Sequence, residues 1–261
     1  MLTSMAEHDR VQSVDRAVRI LEMLAREGEL TVGQVAAELE VHSSTASRLI
    51  DTLAARDLLE RNVDRGNVRL AAGLLRLAGA TASQLDLTTE AQPVCDTLAA
   101  EVGETTNAAI LSGDVAINVC QASGTSSVSM RNWIGQRTVL HATSSGKVLL
   151  AHAESHQRTR LLKPPLQRFT SATRCSAKEL RPELTVVRKQ GWAQSVEEYE
   201  DGLNSVAAPI RDHDGKVIAS LSAAGPTYRL SPERLPQVAA TVVAAADEVS
   251  TRMGYRPRAS E

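Results

Sequence analysis

The segment that most constrains the fold spans residues 31–56, where the sequence predicts two short helices joined by a tight turn. Thr31 and Gln34 have the spacing of a capping box, which marks the start of the first helix. We expect Ser43 or Ser44 to cap the second helix. The apolar residues of both helices recur with the period of an amphipathic helix. This pattern is typical of a helix-turn-helix.

The second helix exposes small hydrogen-bonding groups and a guanidinium. The exposed residues of its first turns are Ser43, Ser44, Thr45, Ser47 and Arg48. Backbone N–H groups and hydroxyls at a helix start bind phosphates, and an arginine can make two hydrogen bonds with a guanine edge. Together with Thr31, these are the candidate DNA-binding residues of the helices. The alternative is an ordinary helical hairpin with Ser and Thr caps.

Two short strand-like segments, residues 58–61 and 67–70, follow this helix and flank a polar turn. A β-hairpin in that position is the wing of a winged helix-turn-helix. Arg61, Arg65 and Arg69 lie on or near it and could contact phosphates or the minor groove. A plain solvated turn is the alternative for this segment.

The chain is expected to contain two domains and a connecting helix. We place a disordered leader at 1–12, a winged helix-turn-helix domain at 13–71, a linker helix at 72–84, a larger second domain at 85–254 and a tail at 255–261. Ser13 is expected to cap the first helix. The linker carries Leu74, Leu75 and Leu77, an apolar surface that a partner subunit would cover.

The larger domain alternates strand-like and helical segments, with hairpin turns between several strands. Predicted helices span 87–102, 147–153, 178–190 and 232–253, and predicted strands span 105–111, 115–121, 126–133, 194–196, 205–210 and 217–222. This order predicts an α+β fold around a mainly antiparallel sheet.

Composition narrows the possible functions. Aromatic residues make up only 2% of the 261 residues, which argues against a stacking platform for single-stranded nucleic acid. The net charge is −2, so contacts with double-stranded DNA must come from a local patch. Three cysteines without CxxC spacing indicate a reducing cytoplasm rather than disulfides or a zinc finger. No apolar run approaches ~18 residues, so no membrane segment is expected.

Several segments together carry a family resemblance. They are residues 13–17 (SVDRA), 44–49 (STASRL), 140–147 (LHATSSGK), Glu197, Glu198 and Gly202, 207–210 (AAPI) and 222–226 (SAAGP). The chain resembles the IclR family of bacterial transcriptional regulators over roughly residues 11–254. The resemblance implies a winged helix-turn-helix, a linker helix and a GAF-like effector domain. It also implies homodimers or dimers of dimers that bind palindromic operators under the control of a carboxylate or aromatic effector.

The resemblance also implies an effector site. Its positions here are Ser144, Ser145, Ser195, Leu203, Ser205, Ser222 and Ala224. Ser144, Ser145 and Gly146 at a helix start offer N–H groups that suit a carboxylate. Met130 and Trp133 could line an apolar extension or belong to the core.

The effector positions depart from part of the family. Some members bind glyoxylate or pyruvate with an Asp, a Cys and two Ser residues. Those positions correspond here to Ser195, Ser205, Ser222 and Ala224, so the acid, the thiol and one hydroxyl are lost. We therefore expect a different effector that makes fewer hydrogen bonds.

Three further segments could in principle form other kinds of site. A P-loop at Gly146-Lys147 is disfavoured, because His141 stands where its first glycine belongs. His152 and His156 could share a helical face as metal ligands, but surface histidines are favoured. The acidic run at 197–201 is expected to be a solvated loop over the pocket, with a general acid as the alternative. No metal, cofactor or catalytic residue is predicted.

Two rival functions stay open. One is a small-molecule enzyme, a hydrolase or reductase on a GAF-like domain with a vestigial DNA-binding module. The other is an interaction protein that binds no small ligand. The intact capping box, wing and reading helix speak against decay of the N-terminal module, which favours a DNA-binding regulator.

Overall fold

A computed structural model describes residues 11–62, 66–82, 86–124, 132–163 and 165–256, with side chains of the segment 66–82 described as far as residue 77. The chain forms two compact units, Met1–Gln84 and Leu85–Glu261. The predicted leader up to residue 10, Arg65, Met130 and the tail from residue 257 lie outside these ranges. Within them, no helix is long and apolar enough to cross a membrane.

The first unit combines helices with a small sheet. Its elements are α1 (Gln12–Glu27), β1 (Glu29–Thr31), α2 (Val32–Glu38), α3 (Ser43–Ala54), β2 (Leu59–Asn62), β3 (Asn67–Leu70) and α4 (Gly73–Ala82). The three helices α1 to α3 bury one apolar core, and the antiparallel sheet has the order β1-β3-β2. This arrangement confirms the predicted helix-turn-helix and wing.

The capping box of α2 is confirmed. The Gln34 N–H donates to Thr31 Oγ1 at 3.2 Å, and the Thr31 N–H donates to Gln34 Oε1 at 2.8 Å. The predicted cap of α3 is wrong, because His42 is the N-cap and its Nδ1 accepts from the Ser44 N–H. Since His42 has extended backbone, the helix already begins at Ser43.

Two further details of this unit differ from the prediction. Ser13 does not cap α1, which begins at Gln12, because the Val11 carbonyl already accepts the first N–H bonds. The strand β1 was not predicted, since three residues are too few to show an alternating pattern. It forms because β3 offers a free edge, on which Leu30 pairs with Val68.

The second unit is built on one antiparallel sheet. Its elements are α5 (Leu87–Val102), β4 (Thr105–Ser112), β5 (Val115–Ala122), β6 (Arg137–Val139), α6 (Ser144–His152), α7 (Ser155–Leu161), α8 (Ala177–Gln190), β7 (Ala193–Val196), β8 (Leu203–Arg211), β9 (Val217–Pro226) and α9 (Leu235–Arg252). The described strands form a six-stranded sheet of order β6-β5-β4-β9-β8-β7. This confirms the predicted α+β fold with an antiparallel sheet.

Side chains point to alternate sides along each strand, so the sheet has two faces with different surroundings. On one face, Val206, Leu221 and their neighbours pack against α5 and α9 in the larger core. On the other face, small residues such as Ala109 and Ala207 lie in the core shared with α6 and α8. Farther along this second face, polar side chains replace the methyl groups and line a cavity.

Three local predictions for this unit need correction. The strand predicted at 126–133 lies largely outside the described ranges, and its last two residues are not in a strand. Among the described residues, the strand that follows β5 is β6. It comes after a turn closed by a hydrogen bond from the Gln136 N–H to the Trp133 carbonyl. The helix α7 was missed because it buries no side chain and shows no apolar stripe.

Candidate DNA-binding surface and effector cavity

The predicted reading residues lie on the solvent side of α3. Ser43, Ser44 and Arg48 are exposed, whereas Thr45 and Ser47 are half-buried. The opposite side of the helix is buried in the core through Ala46, Ile50 and Leu53. In the described ranges, the Arg48 guanidinium has no hydrogen-bond or ion-pair partner, so it is available to a ligand.

The two described wing arginines already have carboxylate partners. Arg61 donates to Asp51 Oδ1 at 2.7 Å and to Ser47 Oγ at 3.0 Å, which ties β2 to α3. Arg69 pairs with Glu60 across the hairpin. DNA would have to compete with these carboxylates. Since surface ion pairs contribute little to stability, breaking these pairs costs little free energy.

The hydroxyl of Thr31 is engaged in the capping box, where it also donates to Gln34 Oε1 at 3.0 Å. This hydroxyl therefore fixes the start of α2. A contact between Thr31 and DNA stays a prediction.

A cavity of about 430 Å³ lies in the second unit. It is bounded by the start of α6, the polar part of the sheet face and the β7–β8 loop. The predicted effector residues among its lining are Ser144, Ser145, Ser195, Leu203, Ser205, Ser222, Ala224 and Trp133. Its size is in the usual range for a small-molecule site.

The start of α6 differs from the prediction in one respect. The helix begins at Ser144, not near Lys147, because Thr143 is the N-cap and its Oγ1 accepts from the Gly146 N–H at 3.1 Å. Gly146 is therefore not a free donor, and it is absent from the lining. Ser144 and Ser145 carry the first two N–H groups, which have no acceptor within a helix.

Gly146 has a structural role instead. A Cβ atom at this position would lie 2.4 Å from the Cα and the carbonyl oxygen of Leu140. Only glycine allows α6 to approach the preceding chain this closely, so Gly146 places the helix start at the cavity.

Two of the predicted hydroxyls are already donors to the main chain. Ser195 Oγ donates to the Ala142 carbonyl at 2.8 Å, and Ser222 Oγ donates to the Asn107 carbonyl at 3.2 Å. These two hydroxyls can therefore only accept from a ligand. Ser205, which is half-buried on β8, has no such bond to the described groups and can donate or accept.

Sequence reasoning missed a large part of the lining. The additional residues are Glu104, Thr105, Asn107, Asn118, Thr138, Thr143, Tyr199, Gly202, Gly225, Pro226, Tyr228 and Arg229. Asn107 and Asn118 interrupt strands β4 and β5, and asparagine is depleted in strands. That departure was the signal that could have identified them.

Asn107 is the most unusual member of the lining. Its Oδ1 is buried and accepts no hydrogen bond from the described part of the chain. An unsatisfied buried acceptor typically costs about 1–3 kcal/mol.

The charged groups Glu104 and Arg229 pair with each other at the cavity. Arg229 donates from Nε to Glu104 Oε1 at 2.7 Å and from Nη2 to Oε2 at 3.0 Å. Gly225 makes room for this carboxylate, since a Cβ there would lie 2.3 Å from Glu104 Oε2. The pairing neutralises Arg229 and leaves it less available to an anionic ligand.

A second ion pair connects α6 to the β7–β8 loop. Lys147 is fully buried and donates to Glu198 Oε1 at 2.6 Å, to Glu183 Oε1 at 2.8 Å and to the Gln194 carbonyl at 3.0 Å. Burial is the main cause that raises the pKa of Glu198, although Lys147 opposes it. With three acceptors already in place, the Lys147 ammonium does not act as a P-loop lysine.

The acidic run was expected to be solvated throughout, and that expectation is wrong for Glu198, which is buried. Glu197 is also engaged, because its Oε1 accepts from the Gly202 N–H at 2.7 Å. Glu200 and Asp201 are exposed and lie in the cavity lining. The run is thus a loop over the pocket, tied down by Glu197 and Glu198.

The two histidines weighed as metal ligands have separate partners. His152 Nδ1 lies 2.9 Å from the Val148 carbonyl, whereas His156 pairs with Glu154 at 3.2 Å. Burial lowers the pKa of His152.

A winged helix-turn-helix followed by an α+β domain with a cavity of ligand size defines a class, the DNA-binding transcriptional regulators. The comparisons with known proteins are more specific. The chain belongs to the IclR family: residues 13–63 match the IclR helix-turn-helix domain, and residues 79–251 match the bacterial transcriptional regulator IclR C-terminal domain.

Individual relatives agree with this assignment. The HTH-type transcriptional regulator BhcR of Paracoccus denitrificans is 34% identical over 252 residues, which cover 96% of this chain and 90% of BhcR. The solved structure of the Agobacterium tumefaciens repressor BlcR is 25% identical, with a TM-score of 0.81 and coverage of 95% and 100%. An IclR homologue from Microbacterium hydrocarbonoxydans, solved with 4-hydroxybenzoate, is 30% identical, with a TM-score of 0.59 and coverage of 92% and 98%.

These comparisons confirm the predicted family and the predicted class of function, a DNA-binding transcriptional regulator. They also confirm the fold class, with a GAF-like second domain. The family consists of transcriptional regulators and does not support the enzyme alternative.

Proposed function

We propose that this regulator is a repressor that binds a palindromic operator as a homodimer or a dimer of dimers, in the cytoplasm. A small organic acid, bound in the cavity of the second unit, would control that binding. The observation that carries the proposal is the start of α6, where the first two residues of the helix, Ser144 and Ser145, line the cavity. The functional domains are those proposed from the sequence, 13–71, 72–84 and 85–254.

The effector class follows from the chemistry of the lining. A helix N-terminus favours a carboxylate, and Leu203, Ala224 and Trp133 offer apolar surface for the rest of the molecule. An IclR homologue that is 30% identical binds 4-hydroxybenzoate, an aromatic acid of suitable size. Ser205 would supply a further hydrogen bond.

The DNA-binding side of the proposal rests on α3 and the wing. Ser43, Ser44, Thr45, Ser47 and Arg48 would read the major groove, with Thr31 beside them. The wing residues Arg61, Arg65 and Arg69 would bind phosphates. Leu75 on α4 is 75% exposed, and an apolar side chain of this kind suits a subunit interface. The relative BlcR is a repressor, which supports the proposed sign of regulation.

A gel shift tests both parts. The probe is the DNA that precedes the protein's own gene, with unrelated DNA as competitor, and the salt concentration is varied. We expect specific binding that protects two related half-sites. A panel of organic acids that includes 4-hydroxybenzoate should contain one that changes operator affinity by roughly 5- to 150-fold, a coupling of ~1–3 kcal/mol.

Two results would contradict the proposal. If neither this probe nor other genomic fragments are bound more tightly than competitor DNA, the proposed operator binding is refuted. An operator affinity that no acid of the panel changes would argue against control by an organic acid.

A further inference from the structure

The side chain of Asn107 holds an unused hydrogen-bond acceptor in the wall of the cavity. Asn107 is only 7% exposed, and its Oδ1 accepts nothing from any group in the described ranges. Its main-chain carbonyl, by contrast, accepts from Ser222 Oγ. Buried polar atoms in proteins are normally hydrogen-bonded. An acceptor in this state suits a donor that a ligand supplies.

The strand directs this side chain into the cavity. Asn107 lies on β4 in the interior of the sheet and is paired in register with Ser222 of β9, and both residues line the cavity. Its chain neighbours point the other way: Ala108 belongs to the larger core, and Thr106 Oγ1 donates to the Cys95 carbonyl. Since side chains alternate along a strand, the Asn107 amide faces the cavity.

The start of α6 offers main-chain hydrogen-bond donors. Ser144 and Ser145 carry the first two N–H groups of this nine-residue helix and line the cavity. The helix dipole is positive at this end and favours an anion. Arg229, a cation of the lining, is already paired with Glu104, so the helix start is the better site for a carboxylate.

We propose that the cavity selects a carboxylic acid that also carries a hydrogen-bond donor, either a hydroxyl or an N–H group. This inference rests on the proposed function and adds a specificity-determining residue to it. The carboxylate binds the N–H groups of Ser144 and Ser145, and the donor binds Asn107 Oδ1. An acid without the donor binds more weakly, because it leaves this buried acceptor unpaired.

Pairs of acids that differ only by a hydroxyl test the inference. The probes are 4-hydroxybenzoate against benzoate and lactate against propionate, titrated calorimetrically into the full-length protein. We expect the hydroxylated member of at least one pair to bind roughly tenfold or more tightly. Asn107→Leu, which has a similar size and no acceptor, should bind both members of that pair equally. Asn67→Leu, the same change in the first unit, should keep the preference.

The outcomes separate this inference from the function on which it rests. If acids bind the wild-type protein but no pair is discriminated, the role of Asn107 is refuted and the effector site stands. The role is also refuted if Asn107→Leu keeps the full preference. If no acid of the panel binds, control by an organic acid fails and the inference fails with it. The comparison of pairs on the wild-type protein decides the matter even if Asn107→Leu does not fold.

Discussion

The ammonium group of Lys147 lies 2.6 Å from Glu198 Oε1, with both side chains buried. Lys147 is in the first turns of α6, and Glu198 is in the loop that follows β7. Both segments contribute residues to the cavity lining, so this ion pair joins two of its walls. Arg174 reinforces the pair through contacts with Glu198 and with Glu183.

Lys147→Met should destabilise the second unit by about 3 kcal/mol or more, because it leaves buried carboxylates without their main partner. The free energy of unfolding can be measured by urea titration with tryptophan fluorescence, since Trp133 and Trp192 both belong to this unit. The exposed Lys163→Met serves as the matched control and should have almost no effect.

Removing Glu198 as well provides a sharper test of the same pair. If the loss comes from an unpaired buried charge, Lys147→Met combined with Glu198→Leu should be more stable than Lys147→Met alone. A double variant that is less stable than the single variant would contradict this explanation.

His141 should make the second unit sensitive to acid. Burial lowers the pKa of this imidazole, whose Nε2 lies 2.8 Å from the Gln167 carbonyl, so the folded protein keeps it neutral. In the unfolded chain, the imidazole takes up a proton near its ordinary pKa of about 6.5. The contribution of His141 to the free energy of unfolding is therefore fully present above about pH 6.5 and is lost as the pH falls through the folded-state pKa.

Unfolding free energies measured between pH 7 and pH 5 check this pH dependence. His141→Gln should decrease the loss of stability over that range, whereas the exposed His156→Gln should leave the loss as in the wild-type protein. Comparison at each pH cancels the contribution of other titrating groups. Equal pH dependence in the wild-type protein and in His141→Gln would count against the assignment.

Gly146→Ala should destabilise the protein, although alanine is normally the better helix former. The new Cβ would meet the Leu140 backbone at 2.4 Å, and overpacking of this kind costs about 1–3 kcal/mol. Thermal unfolding followed by circular dichroism should show a lower Tm. Gly33→Ala in α2, where the nearest atom is 3.9 Å away, is the control and should be neutral or stabilising. Equal effects of the two changes would rule out the proposed close approach.

Arg48→Ala should weaken operator binding by roughly 5- to 150-fold if its guanidinium binds a guanine edge. Arg61→Ala should have a smaller effect, because Arg61 must first leave Asp51. Quantitative gel shifts at several salt concentrations distinguish the two roles, since a phosphate contact lowers the salt dependence of binding and a base contact changes specificity. An unchanged operator affinity for Arg48→Ala would exclude it as a reading residue.

Much of the fold was predictable because its signals are local. The helical period, the Thr31 capping box and the hairpin after α3 each lie within a few residues of sequence, and the family motifs are short continuous segments. Errors arose where a neighbour outside the pattern decided the outcome. His42 supplies the α3 cap in place of a serine, and β1 exists only because β3 accepts it as a partner.

The sequence by itself determined the class of protein and a minor part of the cavity lining, since those properties follow from periodicity, capping and short motifs. Only the tertiary structure decided the hydrogen-bonding character of the cavity. Asn107 and Ser144 come from β4 and α6, and Lys147 finds Glu198 at a separation of 51 residues. Such contacts depend on how the sheet and helices pack, and no local pattern along the chain encodes that packing.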